Sequence, residues 1–210
     1  MKVFRDTVSG FTHLGGAVVS IVGTIFLCLR AGSGAELATF LIFGISMILL
    51  FSASASYHLI TNMAVADAFR KLDHAMIYIL IAGTYTPIVM AVFDASLRLA
   101  YMIGIWMFAL VGVMLKVFFT GKFRIISTII YLIMGWSVIF AIVPLVKSLG
   151  AGGSIVLTTG GVLYTIGGVI YATKRPKLWK NFGFHELFHI FVLLGAITMF
   201  FVVYYFMTSA

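Results

Sequence analysis

Seven long apolar runs joined by short connections dominate this sequence, and they leave few folds open to it. They occupy approximately residues 11–29, 37–60, 72–93, 97–119, 125–146, 154–172 and 184–207. Each is long enough, as a helix rising about 1.5 Å per residue, to cross about 30 Å of hydrocarbon. None alternates polar with apolar residues. Lipid offers backbone groups no hydrogen-bond partners, so helices are the expected form. Composition agrees: 10% of residues are charged and 62% hydrophobic, where a soluble domain carries about 25% charged residues. The expectation is an all-α integral membrane protein. It comprises one domain over residues 1–210, a bundle of seven transmembrane helices with antiparallel neighbours, passing repeatedly through the cell membrane.

Basic residues orient the bundle. Lys2, Arg5, Arg70, Lys71, Lys116, Lys122, Arg124, Lys174, Arg175, Lys177 and Lys180 fall on the side of the N-terminus, and Arg30, Arg98 and Lys147 on the other. The positive-inside rule therefore predicts a cytoplasmic N-terminus and an external C-terminus. The same distribution accounts for the net charge of +8 as a topology signal, so nucleic acid is not an expected partner. The lone Cys28 excludes an intramolecular disulfide.

The chain has five histidines, His13, His58, His74, His185 and His189. The expected topology puts every one near the cytoplasmic end of a helix, and Asp73 and Glu186 join them there. His185 and His189, four apart in FHELFH, stack on one helix face where they can share a metal ion. Ser54 and His58 have the same spacing in SASYH, and Asp73 opens the third segment in KLDHA. A tetrahedral site needs three or four such ligands, and a catalytic one keeps a position for water. His13 and His74 read more readily as interfacial anchors. His74 follows Asp73 directly and so should point about 100° away from it. HELFH also fits the zinc-protease pattern, with Glu186 as base. No His, Asp or Glu follows His189, so a third ligand must come from upstream, and His58 is the best candidate.

Together, SGFTHLGG, SASYHL, KLDHAMIYILIAGTYTP and FHELFHIFVLLG resemble the hemolysin III family. That family is grouped with the progestin and adiponectin Q receptors and, more distantly, the alkaline ceramidases. The resemblance covers nearly the whole chain. It implies a seven-helix bundle with zinc held on the cytoplasmic side by His58, His185 and His189. Asp73 corresponds to an aspartate that reaches the metal through a water, and Ser54 to the family's serine. Glu186 has no fixed acidic counterpart in the eukaryotic receptors and is not assigned as base.

The leading expectation is a zinc protein that acts on membrane lipids as an amide or ester hydrolase and serves membrane lipid homeostasis. Asp73 and Ser54 would be its catalytic groups. His189 lies about four residues, or about 6 Å, inside its segment, close to the depth of a lipid carbonyl. One alternative is a non-catalytic receptor or sensor of lipid state with a structural zinc. Another is a pore-forming hemolysin, which would need polar faces running the full depth of several helices. The sequence gathers its polar groups at one end instead.

Overall fold

The computed structural model describes residues 4–119, 124–179 and 182–207. Lys2, Lys122, Lys180 and Ala210, which bear on the orientation, lie outside the described residues. The elements are α1 (Thr7–Arg30), α2 (Gly34–Leu59), α3 (Met63–Val92), α4 (Ala95–Phe119), α5 (Arg124–Trp136), a 3₁₀ turn (Ser137–Ala141), α6 (Ile142–Thr173) and α7 (Phe184–Phe206). Among the described residues, six helical stretches are long and apolar enough to cross a membrane, with Arg124–Thr173 counted as one.

That stretch of 50 residues would be about 75 Å long if straight, more than twice the hydrocarbon thickness. It doubles back instead. Arg124 Nη2 donates to the Ala172 carbonyl at 3.0 Å, and Trp136 Nε1 donates to Thr165 Oγ1 at 2.9 Å. The reversal falls at Gly150, whose φ of 63° and ψ of −175° interrupt the helix. A residue with a Cβ does not adopt this region without strain. The fifth and sixth apolar runs therefore meet at a single glycine, with hardly any loop between them.

Capping residues open the first three helices, each ahead of its apolar run. The Asp6 side chain accepts from the Ser9 N–H at 3.3 Å and opens α1. Ser33 caps α2, while Glu36 reaches back to the Gly32 N–H at 2.8 Å. Asn62 caps α3 through the Ala64 and Val65 N–H groups. Pro87 lies inside α3. Within the turn that precedes it, Thr84 and Thr86 donate to the Leu80 and Ala82 carbonyls.

α1 packs on α2, α2 on α3, α3 on α4, α5 on α6 and α6 on α7, and α1 closes against α7. α3 is the central element, touching α2, α4, α5, α6 and α7. Its contact with α4 is close because Gly112 leaves room for the Tyr78 ring, which a Cβ there would penetrate. The outer surface is apolar all round, with Leu29, Phe118 and Phe140 among its most exposed side chains. Water would not tolerate such a surface, and lipid suits it.

Candidate metal centre

The structure gathers the five histidines at one end of the bundle, as their common position in the sequence predicts. His58 ends α2, and His185 and His189 occupy the first turns of α7. Their ligand atoms all lie within 4.8 Å of one another. His58 Nε2 and His185 Nε2 are 3.3 Å apart. Two nitrogens on a tetrahedral ion with bonds of about 2.05 Å stand about 3.3 Å apart, so this spacing already suits a shared metal. His189 Nδ1 is buried with no hydrogen-bond partner. An orphaned imidazole nitrogen beside two others costs free energy, and a shared cation would relieve it. Three imidazole donors, one of which carries such an orphan, fit a bound metal ion.

Asp6 holds the first of these rings. Its Oδ2 lies 3.1 Å from His58 Nδ1, and its N–H donates to the His58 carbonyl at 3.0 Å. Burial raises the Asp6 carboxyl, but hydrogen bonds to His58 and Ser9 outweigh that and hold it at about 2. An ionised carboxylate only accepts, so His58 carries its proton on Nδ1 and turns the Nε2 lone pair to the cluster. Arg5 fastens the same segment, bonding the Tyr57 carbonyl and lying 4.2 Å over the Tyr57 ring. Sequence reasoning missed Asp6. The available signal was an acidic helix cap seven residues before His13, at the end of the bundle where the other histidines are expected.

Ser54 is fully buried one turn before His58. It stands beside Asp73, although its hydroxyl closes no hydrogen bond. Asp73 lies well inside α3, since the helix already begins at Met63. His74 does not point away from it: His74 Nδ1 and Asp73 Oδ2 are 3.3 Å apart, because both side chains bend into one space. The other side of the His74 ring, at Nε2, is 3.4 Å from the Tyr171 hydroxyl, and the Tyr131 hydroxyl donates to the His74 carbonyl at 2.9 Å. Nor is His13 an interfacial anchor. It is 2% exposed and stacks on His189 at 3.8 Å between ring centres. Glu186 accepts from the Gly183 N–H at 2.6 Å and so caps α7. That use of its carboxylate agrees with leaving it unassigned as a base.

Behind the cluster a cavity of about 150 Å³ runs into the bundle. His13, Asp73, His185 and His189 line it at the histidine end, and Leu80, Ile81, Val192 and Met199 are among its apolar walls.

Comparison with known proteins decides the family. The family described as haemolysin-III related matches residues 1–200. This chain belongs to the haemolysin III family. That family in turn belongs with the progestin and adiponectin Q receptors. The chain is 38% identical over 206 residues to a protein named hemolysin-3 homolog from Bacillus subtilis (strain 168), covering 96% of this chain and 94% of that one. It is 37% identical over 208 residues to the protein named hemolysin-3 from Bacillus cereus, covering 97% and 92%. In this haemolysin III chain, the three histidines that the resemblance names as ligands, His58, His185 and His189, are brought together by the fold.

Proposed function

We propose that this protein is a seven-span membrane hydrolase that holds zinc through His58, His185 and His189 and cleaves an amide or ester bond in a membrane lipid. Its single domain extends over residues 1–210, with the N-terminus cytoplasmic and the C-terminus external. The observation that carries this reading is the group of three imidazoles, two of which, His185 and His189, line an apolar cavity within the bundle. The doubling back at Gly150 supports a count of seven spans, and the excess of basic residues on one side supports the orientation. The chemistry a zinc ion supplies in such a donor set is Lewis acidity, which lowers the pKa of a water to about 7 and polarises a carbonyl.

The chain's own residues do the rest. Asp6 keeps the His58 ring in one tautomer and one orientation. Asp73, at the same cavity as His185 and His189, takes the proton from the attacking water. The Ser54 hydroxyl, buried and not otherwise engaged, orients that water or the carbonyl oxygen. The apolar walls accept an acyl chain and exclude bulk water from the reacting groups. Both Bacillus relatives carry a name that speaks of haemolysis. A pore, however, would need polar faces running the full depth of several helices, and α4 offers none. Its buried stripe is Ile105, Ala109 and Gly112 until Lys116 in the last turn.

The test is metal analysis of the purified protein and of the His58→Ala, His185→Ala and His189→Ala variants, followed by incubation with mixed membrane lipids and mass spectrometry. About one zinc per wild-type chain is expected, lost in each variant, together with lipid cleavage by the wild type alone. Full zinc retention in any one variant removes that residue from the ligand set.

A further inference from the structure

α4 meets the rest of the bundle through a narrow stripe. Its buried residues are Ile105, Ala109, Gly112 and Lys116, spaced four, three and four apart, so the lysine sits on the packed face of the helix. Lys116 is only 5% exposed. A lysine in the last turn of a spanning helix ordinarily lays its stem along the lipid and lifts its ammonium to the interface. One turned inward is costly to hold, and such residues mark polar ligands and pathways. Lys116 Nζ lies 6.0 Å from the centre of the Tyr131 ring. It lines the cavity that Asp73, His185 and His189 also line, and among the described residues it is the one Lys or Arg to do so.

We propose that Lys116 binds the phosphate of an acyl lipid, which makes the substrate of the proposed hydrolase a phosphate-bearing lipid. The inference rests on the hydrolase reading and deepens it. Cleavage places an acyl carbonyl at the imidazole cluster, which is built by α2 and α7. A cation on α4 that lines the same cavity complements a second polar group, of negative charge, on the same molecule. A free fatty acid has one polar group, and the cluster would take it. A neutral glyceride has carbonyls and no charge. A glycerophospholipid or its lyso form carries an ester carbonyl and a phosphate a few bonds apart, and so meets both demands. An ammonium in a mostly apolar cavity attracts such an oxyanion far more strongly than it would in water.

The experiment uses the full chain purified in maltoside micelles, which contain no phosphate. Calorimetry compares 1-oleoylglycerol 3-phosphate with 1-oleoylglycerol, two ligands that differ only in the phosphate. The wild type should prefer the phosphorylated lipid by at least about tenfold, the scale expected of a desolvated charge pair. Lys116→Gln should lose most of that preference while keeping wild-type zinc content and wild-type affinity for 1-oleoylglycerol. Lys116→Arg should retain the preference. Glycerol 3-phosphate, which lacks the acyl chain, should not displace the lipid at equal concentration.

Equal affinity of the wild type for the two lipids overturns the proposal, and that result needs no variant to fold. Full preference in Lys116→Gln overturns it too. Displacement by glycerol 3-phosphate would identify a soluble-anion site and overturn the lipid assignment. Zinc content and lipid cleavage, read on the same samples, keep the two readings apart. A zinc-loaded protein that cleaves both lipids without preference loses this inference and keeps the hydrolase. A zinc-free, inactive protein that still prefers the phosphate through Lys116 keeps the phosphate site and loses the hydrolase.

Discussion

At the scale of single residues, two carboxylates stand at different places around one centre. Asp73 faces the cavity beside His185 and His189, and Asp6 stands behind His58 at 3.1 Å. Asp73→Asn keeps the size of the side chain and removes a base. Lipid cleavage should fall by about 10²-fold or more, with zinc largely retained. A mutant with full zinc and wild-type turnover would remove Asp73 from the mechanism, and joint loss of zinc and stability would favour a structural metal. Glu186→Gln is the companion control, because its carboxylate is spent on the Gly183 N–H. It should leave cleavage in place, and abolition would restore the protease-like reading of HELFH. Asp6→Ser separates the two tasks of Asp6, since serine still caps α1 but is too short to hold His58 as the carboxylate does. Zinc affinity, measured by competition with a chelating dye, should weaken by about 10- to 100-fold. Unchanged affinity would leave Asp6 as a helix cap alone.

At the scale of elements, the stretch from Arg124 to Thr173 depends on one glycine. Gly150 combines φ 63° with ψ −175°, and nothing crowds the place its Cβ would occupy. A substitution there is therefore strained by the backbone and by no neighbour. Gly150→Val should cost about 1–3 kcal/mol, read as a lower thermal midpoint in detergent. Gly152→Val is the comparison, since that glycine has ordinary helical angles and only distant contact with Phe206. If both variants melt alike, the reversal does not depend on the conformation of Gly150.

For the whole molecule, orientation and depth are the properties to measure. Arg5 on Tyr57 and Arg124 on Ala172 sit at the histidine end of the bundle. Arg30 lies at the far end of α1, over the Tyr204 ring at 4.6 Å. These positions agree with the division of basic residues along the chain. A reporter that is active only in the cytoplasm, fused after Ala210, should stay silent, while the same reporter ahead of Met1 should be active. Strong activity at the C-terminal fusion would mean an even number of crossings or the opposite orientation. Silence at the C-terminal fusion with activity at the N-terminal one would put the five histidines at the cytoplasmic face, where acyl carbonyls lie just beneath the head groups.

What the sequence determined by itself is whatever depends on one segment at a time. Run length and scarcity of charge establish helices that cross a membrane. The spacing of four between His185 and His189 sets two imidazoles on one face, and the position of each histidine in its run sets a common depth. The tertiary structure decided how faces meet. It brought Asp6 to His58, laid the His13 ring on His189, bent His74 onto Asp73 and turned Lys116 inward. It also joined two apolar runs through Gly150 without a loop. The physical reason is that, in lipid, most faces of a spanning helix are apolar, so hydrophobic patterning does not mark which face packs inward. Close packing between helices makes that choice, through small residues such as Gly112 that admit a ring from the neighbouring helix.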